Sequence, residues 1–481
     1  MRHFDLAVIG AGSGLIIMEE ALKLGKSCAV VEKDLFGGTC LNRGCIPSKM
    51  LVYPADLIRE AEQGARIGVR FSKPQVDWAL IAGRMWEQTD ENISLEKSLD
   101  ETQGLTVYKG EGQFTDPHTL KVTLKDGGTE RFTAEQIVIA TGGRTRIPAI
   151  PGLSDTGYIT SESFFGNRFP GKPYDSLLII GGGTTACEFA HILSAFGTKV
   201  TLAVRSETIL RDFDEEIGPF VSKALETAGV RVIYYAGPLA ARAENGQKTV
   251  EFADKRTGER FEISAEELFI ASGIVPNTEG LNLDAAGVQT QISGYIHTDD
   301  RMRTNVPHIW ALGDVNGKYQ LRHKANYEAD ILNDNLFHSG VLRADYSSVP
   351  QAAFTHPQAA GVGMSERTAR MLYGEHVRVL YNHYSDVVAG RAMGYRKDAA
   401  DDGFAKIILD DTQRILGVHI AGPQAAVLVQ PFAYLMNAGG IAQADHPGTW
   451  LPVRQAMTIH PSFSELAAWA LVYPTEGEAA K

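Results

Sequence analysis

Cys40 and Cys45 are two of the four cysteines in a chain of 481 residues, and both lie in one stretch, Gly37–Lys49, reading GGTCLNRGCIPSK. Two thiols so close in sequence can form a redox disulfide, ligate a soft metal or simply pack. In a regular helix, residues i and i+5 have Cα atoms roughly 8.7 Å apart. A disulfide needs less than about 7 Å. If the two sulfurs bond, the helix must bend or overwind between them. Gly44 relaxes the backbone limits there, and Pro47 suits the first turn of a helix that starts late. A metal would want more ligands, and no second Cys/His cluster stands nearby in the sequence. Redox chemistry explains the pair best, with two buried thiols as the plainer alternative. Cys28, in an apolar strand, and Cys187, in a helix facing a sheet, are expected to be packed thiols.

The elements that must position this pair read as nucleotide-binding units. Phe4–Lys33 and Ser176–Arg205 repeat one plan of strand, Gly-rich turn, helix and strand. That is a βαβ unit of about 30 residues. In the first unit, Gly10, Gly12 and Gly14 let a pyrophosphate approach a helix N-terminus, whose N–H groups attract anions. Glu32, 22 residues after Gly10, ends the second strand, where a carboxylate can hold ribose hydroxyls. Leu15 stands where the full pattern has glycine. A later apolar strand ends in Gly313–Asp314, and an aspartate there can accept from a sugar-alcohol hydroxyl. In the second unit, Gly181, Gly183 and Ala186 spell G-x-G-x-x-A. An enzyme using NAD would carry an acid at about Val204 to bind the 2′-OH. That place is apolar, and Arg205 and Arg211 follow, suited to a 2′-phosphate. NADPH is therefore expected over NADH.

The bulk properties narrow the class. A chain of this length should form three or four domains. Its net charge of −12 leaves no electrostatic footprint for nucleic acid or an anionic membrane. No apolar run reaches spanning length, and the N-terminus reads as a strand entering a turn rather than a signal peptide. A cytoplasmic location follows, where structural disulfides are rare. From about Tyr346 the pattern changes. Phe404–Asp410 and Arg414–Gly422 read as a hairpin, followed by one long helical run that stops at Gly439 and Gly440. This predicts a separate α+β domain.

Together these motifs resemble the pyridine nucleotide–disulfide oxidoreductases over almost the whole chain. The resemblance rests on GGTCLNRGCIPSK and GAGSG, on IVIATGGRTRIP (Ile137–Pro148), and on EFA after the second glycine turn. It extends to ALGDV, FTHPQAAGVG (Phe354–Gly363) and HPSFSE (His460–Glu465). It implies an α/β fold with two Rossmann-like dinucleotide-binding domains, for FAD and NAD(P)H, plus a C-terminal α+β dimerisation domain. The implied segments are 1–150 and 276–345 for FAD, 151–275 for NAD(P)H and 346–481 for the dimer interface.

By the same resemblance, Cys40 is the interchange thiol that meets substrate, and Cys45 is the thiol against the flavin. Lys49 lies near the flavin and pairs with Glu188. His460 is the acid–base, oriented by Glu465, and serves the cysteines of the other subunit of a homodimer. Gly38, Thr39, Thr141, Gly142, Gly273 and Asp314 join the glycine turns as cofactor-binding positions. The implied activity is NADPH-dependent reduction of a small-molecule disulfide, with electrons passing through FAD to a Cys40–Cys45 disulfide. GAGSGL is nearer to mycothione reductase. LNRGCIPSK and GRAMG (Gly390–Gly394) lean towards dihydrolipoamide dehydrogenase. The alternative is thus a dihydrolipoyl dehydrogenase, passing electrons from a dithiol to NAD⁺ in a 2-oxo acid dehydrogenase complex. A flavin-bearing sensor without turnover would not need Cys40, Cys45, Lys49 and His460 together.

Overall fold

Strands buried on both faces read as continuous apolar runs, and the chain's first strand is one. In a computed structural model, which describes residues 1–438, 453, 456–462 and 464, Arg2–Ile9 is buried along its last four residues. The chain divides into two compact units: residues 1–47, 84–146 and 274–346, and residues 48–83, 147–273 and 347–481.

The first unit is built on a sheet of parallel strands in the spatial order Leu105–Asp116, Cys28–Glu32, Arg2–Ile9, Thr129–Ile139 and Ile309–Ala311. Thr119–Leu124 runs antiparallel to both Leu105–Asp116 and Thr129–Ile139. Alternate side chains point to opposite faces. Leu6, Val8, Cys28, Val30 and Val138 pack with Ile17, Met18 and Ala21 of the helix Gly14–Lys23. Ala7, Ile9, Val31 and Ile139 pack with Phe114, Leu120 and Val122 on the other side. The sheet's carboxyl ends therefore carry the Gly10 turn, Glu32 and Gly313.

The second unit repeats the parallel plan in four strands, ordered Glu267–Ile270, Ser176–Ile180, Lys199–Ala203 and Arg231–Ile233. The helix Thr184–Ala195 connects the middle pair. Farther along the chain, a five-stranded antiparallel sheet runs Gln351–Ala353, Ala359–Gly363, Ile415–Ala421, Phe404–Asp410 and Val377–His383. The expected hairpin is present as its central pair. The expected single helix after it is two, Ala425–Leu428 and Gln430–Ala438. Pro431 has no N–H to give to Val427 and its ring crowds that carbonyl, so the run breaks at Val429. The expected stop at Gly439 and Gly440 lies outside the described residues. No helix among those described is long and apolar enough to cross a membrane.

Candidate active site

The cysteine stretch folds as two helices rather than one bent helix. Gly38–Arg43 ends at Gly44, whose φ of −139° and ψ of −110° are not helical, and Cys45–Gln63 starts directly after it. Gly44 packs so closely on Thr39 that an added Cβ would lie 3.0 Å from the Thr39 carbonyl oxygen. Upstream, Gly37 and Gly38 turn the chain with φ of 91° and 68°, values that favour glycine. A Cβ on Gly38 would lie 2.9 Å from Gly12 Cα, so the cysteine loop and the first glycine turn meet backbone to backbone. Buried Asn42 donates from Nδ2 to the carbonyls of Phe36 at 2.8 Å and Gly38 at 3.0 Å. Arg43 pairs with Asp34 at 2.6 Å.

The result is that the Cys40 and Cys45 sulfurs lie within 4.8 Å of each other, each half-buried. Cys28 and Cys187 are fully buried, and burial pushes the Cys28 thiol up to about 12 and the Cys187 thiol up as well. Neither offers thiolate at neutral pH.

The rest of the first unit fits a flavin dinucleotide. A cavity of about 220 Å³ is lined by Gly10, Glu32, Gly112, Thr141, Arg144, Asn277 and Glu279, among others. Gly10, at φ 103°, has no room for a Cβ beside the Ala140 carbonyl. Glu32 accepts the N–H groups of Ala11 and Asp34, each at 2.8 Å, which aims its carboxylate at the strand end. Thr141 and Asn277 exchange two hydrogen bonds, of 2.8 and 2.9 Å, and Asn277 N–H donates to Gly142. Asp314 sits in the turn Gly313–Asn316. Burial, with Glu328 adding and Lys324 opposing, pushes its carboxyl up to about 6. A half-buried carboxyl that is costly to ionise suits a ligand bringing hydroxyl donors.

That turn is held by an ion pair absent from the sequence reading. Lys324 and Glu328 are both completely buried, 3.1 Å apart. Lys324 Nζ donates to Gly313 O at 3.0 Å and Asn316 Oδ1 at 2.9 Å, and Glu328 accepts from Gly313 N–H at 2.7 Å. The spacing i, i+4 was visible, but on a helix it reads equally as a surface pair.

In the second unit, Gly181 and Gly183 bound the turn into Thr184–Ala195, and the Cβ position of Gly183 is open. Gly182 gathers the residues after the next strand. Its bare Cα faces Val204, where a Cβ would come within 2.8 Å, and its carbonyl accepts Leu210 N–H at 2.7 Å. Arg205 and Arg211 follow those two residues and are both exposed. Gly273 has a φ of 102° at the end of this segment.

Lys49 Nζ lies 2.8 Å from Glu188 Oε2 and 4.6 Å from the centre of the Phe354 ring, and Phe354 N–H donates to Glu188 Oε1 at 3.0 Å. His460 is half-buried on the stretch Ala456–Ser462. Gln430, 2% exposed, grips that stretch at both ends of its amide: Nε2 donates to Met457 O at 2.9 Å and Oε1 accepts Ile459 N–H at 3.0 Å. Gln430 was not singled out in the sequence, because a glutamine inside an apolar helical run carries no spacing signal. Glu465, the expected partner of His460, lies outside the described residues.

Known proteins match along this whole architecture. Residues 4–329 match the family described as pyridine nucleotide-disulphide oxidoreductase, and residues 349–471 match its dimerisation domain. Mycothione reductase of Mycobacterium tuberculosis is 33% identical over 98% of this chain and 99% of its own length. Dihydrolipoyl dehydrogenase of Chlamydia pneumoniae is 32% identical over 98% of this chain and 96% of its own. The chloroplastic/mitochondrial glutathione reductase of Pisum sativum is 32% identical over 96% and 81%. A solved structure, the Cu(II) complex of the HOCl-induced flavoprotein disulfide reductase RclA from Escherichia coli, superposes with a TM-score of 0.80 at 27% identity, covering 98% of this chain and 100% of that one. The chain belongs to the class I pyridine nucleotide–disulfide oxidoreductases, a family of FAD-dependent enzymes that act on disulfides with a pyridine nucleotide.

Proposed function

We propose that this protein reduces a small-molecule disulfide with NADPH through a Cys40–Cys45 redox pair. The observation that carries the reading is the approach of the two sulfurs to within 4.8 Å across the helix break at Gly44. Sulfurs this near close to bonding distance with a small torsional change, which the glycine permits.

Bound FAD would supply the electron relay between the nicotinamide and the disulfide. Gly10, Gly12, Gly14, Gly38, Thr39 and Glu32 would hold its dinucleotide end, with Thr141, Gly142, Gly313 and Asp314 along its chain. Lys49, paired with Glu188, would supply a cation to offset negative charge on the reduced group.

In the oxidative half, Cys40 thiolate attacks one sulfur of the substrate disulfide and the substrate's S–S bond breaks. His460, oriented by Glu465, gives a proton to the departing thiolate. Cys45 thiolate then attacks Cys40 sulfur, re-forming the pair's disulfide and releasing the second thiol. An imidazole can both give and take a proton, which suits His460 to that traffic.

The preference for NADPH rests on Arg205 and Arg211, exposed beside the glycine turn, with buried Val204 in the place of a ribose-binding acid. Gly181, Gly183 and Gly273 complete that site. The protein would work as a homodimer through its dimerisation domain, with active sites shared between subunits. The second reading, a dihydrolipoyl dehydrogenase using NAD⁺, draws on the identity to the chlamydial enzyme.

A panel of oxidised glutathione, lipoamide, cystine and coenzyme A disulfide, each assayed with NADPH and NADH, separates the two. Turnover of a linear disulfide with NADPH is expected. Turnover confined to lipoamide with NADH overturns the first reading in favour of the second.

A further inference from the structure

Two histidines and an aspartate of the second unit have no part in the chemistry above, yet Asp56 and His191 stand on the helices that carry Lys49 and Glu188, and His356 lies on the segment after Gln351–Ala353. Asp56 lies two turns beyond Lys49 on Cys45–Gln63, and His191 lies one turn beyond Glu188 on Thr184–Ala195. His191 Nε2 is 2.8 Å from Asp56 Oδ1, and His356 Nδ1 is 3.5 Å from the same oxygen. The two imidazole rings lie 6.1 Å apart and 19° from parallel. One turn further, Arg59 donates to Ser194 Oγ at 2.8 Å. Three polar rungs thus join the two helices in one order: Lys49–Glu188, Asp56–His191 and Arg59–Ser194. The segment after Gln351–Ala353 braces the first two, through Phe354 N–H to Glu188 and His356 to Asp56.

His191 is 1% exposed, so water offers its ring N–H no substitute for Asp56. Its charged and titratable surroundings are Asp56 and Arg59 on the long helix, Glu188 on its own helix and His356 on the bracing segment. Burial pushes His191 down from its ordinary value. Asp56, although burial opposes it, is held low by hydrogen bonds from His191 and His356. The pair is therefore a neutral imidazole donating to an ionised carboxylate. Lost, it would leave one side of the Glu188 helix free to slide along the long helix.

We propose, resting on the reading of Lys49 as the cation beside the flavin, that Asp56, His191 and His356 form a positioning strut that fixes Glu188 and, through it, the Lys49 ammonium where it stabilises reduced flavin. These are positioning residues, since none contacts the reacting atoms.

The test is the reduction equilibrium of the flavin in purified holoenzyme, with FAD content measured alongside. His191→Leu is expected to keep its FAD and to shift the equilibrium at least tenfold towards oxidised flavin, about 30 mV for a two-electron couple. His191→Gln, whose amide N–H can reach Asp56, is expected to return within twofold of wild type. Full FAD content with an equilibrium within twofold of wild type in His191→Leu overturns the strut. If that variant yields no folded holoenzyme, Asp56→Ala carries the same expectation and the same overturning result. Lys49→Met separates the two levels of the argument. If it leaves the equilibrium unmoved, the reading of Lys49 fails and the strut with it. If it shifts the equilibrium while His191→Leu does not, only the strut fails.

Discussion

Glu188 holds Lys49 with one carboxylate oxygen, at 2.8 Å, and spends the other on the backbone N–H of Phe354, at 3.0 Å. The carboxylate is nearly buried and Lys49 is about one-fifth exposed. Glu188→Ala strands both an ammonium and a buried N–H. The expected loss is about 2 kcal/mol of stability, read as a lower urea midpoint of the holoenzyme. Glu188→Gln keeps an acceptor for Phe354 and should lose less. Equal losses in the two variants would mean that the Phe354 bond contributes nothing.

Gln430 should matter to one half of the reaction. Gln430→Leu removes both hydrogen bonds to the His460 stretch while filling the same space. The expected effect is about a tenfold fall in kcat/KM for the disulfide substrate, equal to the loss of one good hydrogen bond. Electron transfer from NADPH to a dye such as ferricyanide, which needs no proton from His460, should stay within twofold. A parallel fall in both activities would contradict a role confined to His460.

Cys45→Ser should bind FAD as the wild type does, since serine nearly keeps the side chain's size and leaves every residue that lines the cavity beside Glu32 and Asn277 unchanged. Disulfide reduction should fall to background, because Cys40 then has no sulfur to resolve its mixed disulfide. Full turnover in this variant would refute the assignment of the pair.

The proposed nucleotide preference can be tested at the two arginines that follow Val204 and Leu210, the residues Gly182 contacts. Arg205→Gln with Arg211→Gln removes two charge-assisted contacts, each worth about 1.5–3 kcal/mol. KM for NADPH should rise at least a hundredfold, and KM for NADH should change little. A similar rise for both cofactors would place the arginines elsewhere in the reaction.

Acid should weaken the second unit from the imidazole range downward. Burial lowers His191 in the fold, so the unfolded chain binds a proton first as pH falls below about 6.5. Stability is therefore lost from there down to the folded value. Asp56, also lowered, contributes stability that is present above its unfolded value near 3.8 and lost as pH falls through its folded value. The thermal midpoint should drop between pH 6.5 and 5, and His191→Gln should flatten that drop. An equal slope in both proteins would remove His191 from the account.

Much of the fold was legible because backbone rules write themselves into spacing. Strands buried on both faces must be apolar, and a pyrophosphate turn must be bare, so Phe4–Lys33 and Ser176–Arg205 announced two nucleotide-binding folds. The helix break at Val429 was also present in the sequence, in Pro431, and was missed because the apolar run through it looked continuous. Polar side chains with buried partners were not legible. Lys324 and Glu328 read as any i, i+4 pair, and Asp56, His191 and His356 are separated by 135 and 165 residues.

By itself, then, the order of residues determined the architecture and which two thiols stand together, since both follow from local periodicity and from a motif within one short stretch. Only the tertiary structure decided which polar groups hold which. It put Gln430 on the His460 stretch and His191 on Asp56. Such pairs depend on burial and on distances between segments far apart in the chain, and a buried polar atom must find its partner wherever packing brings one.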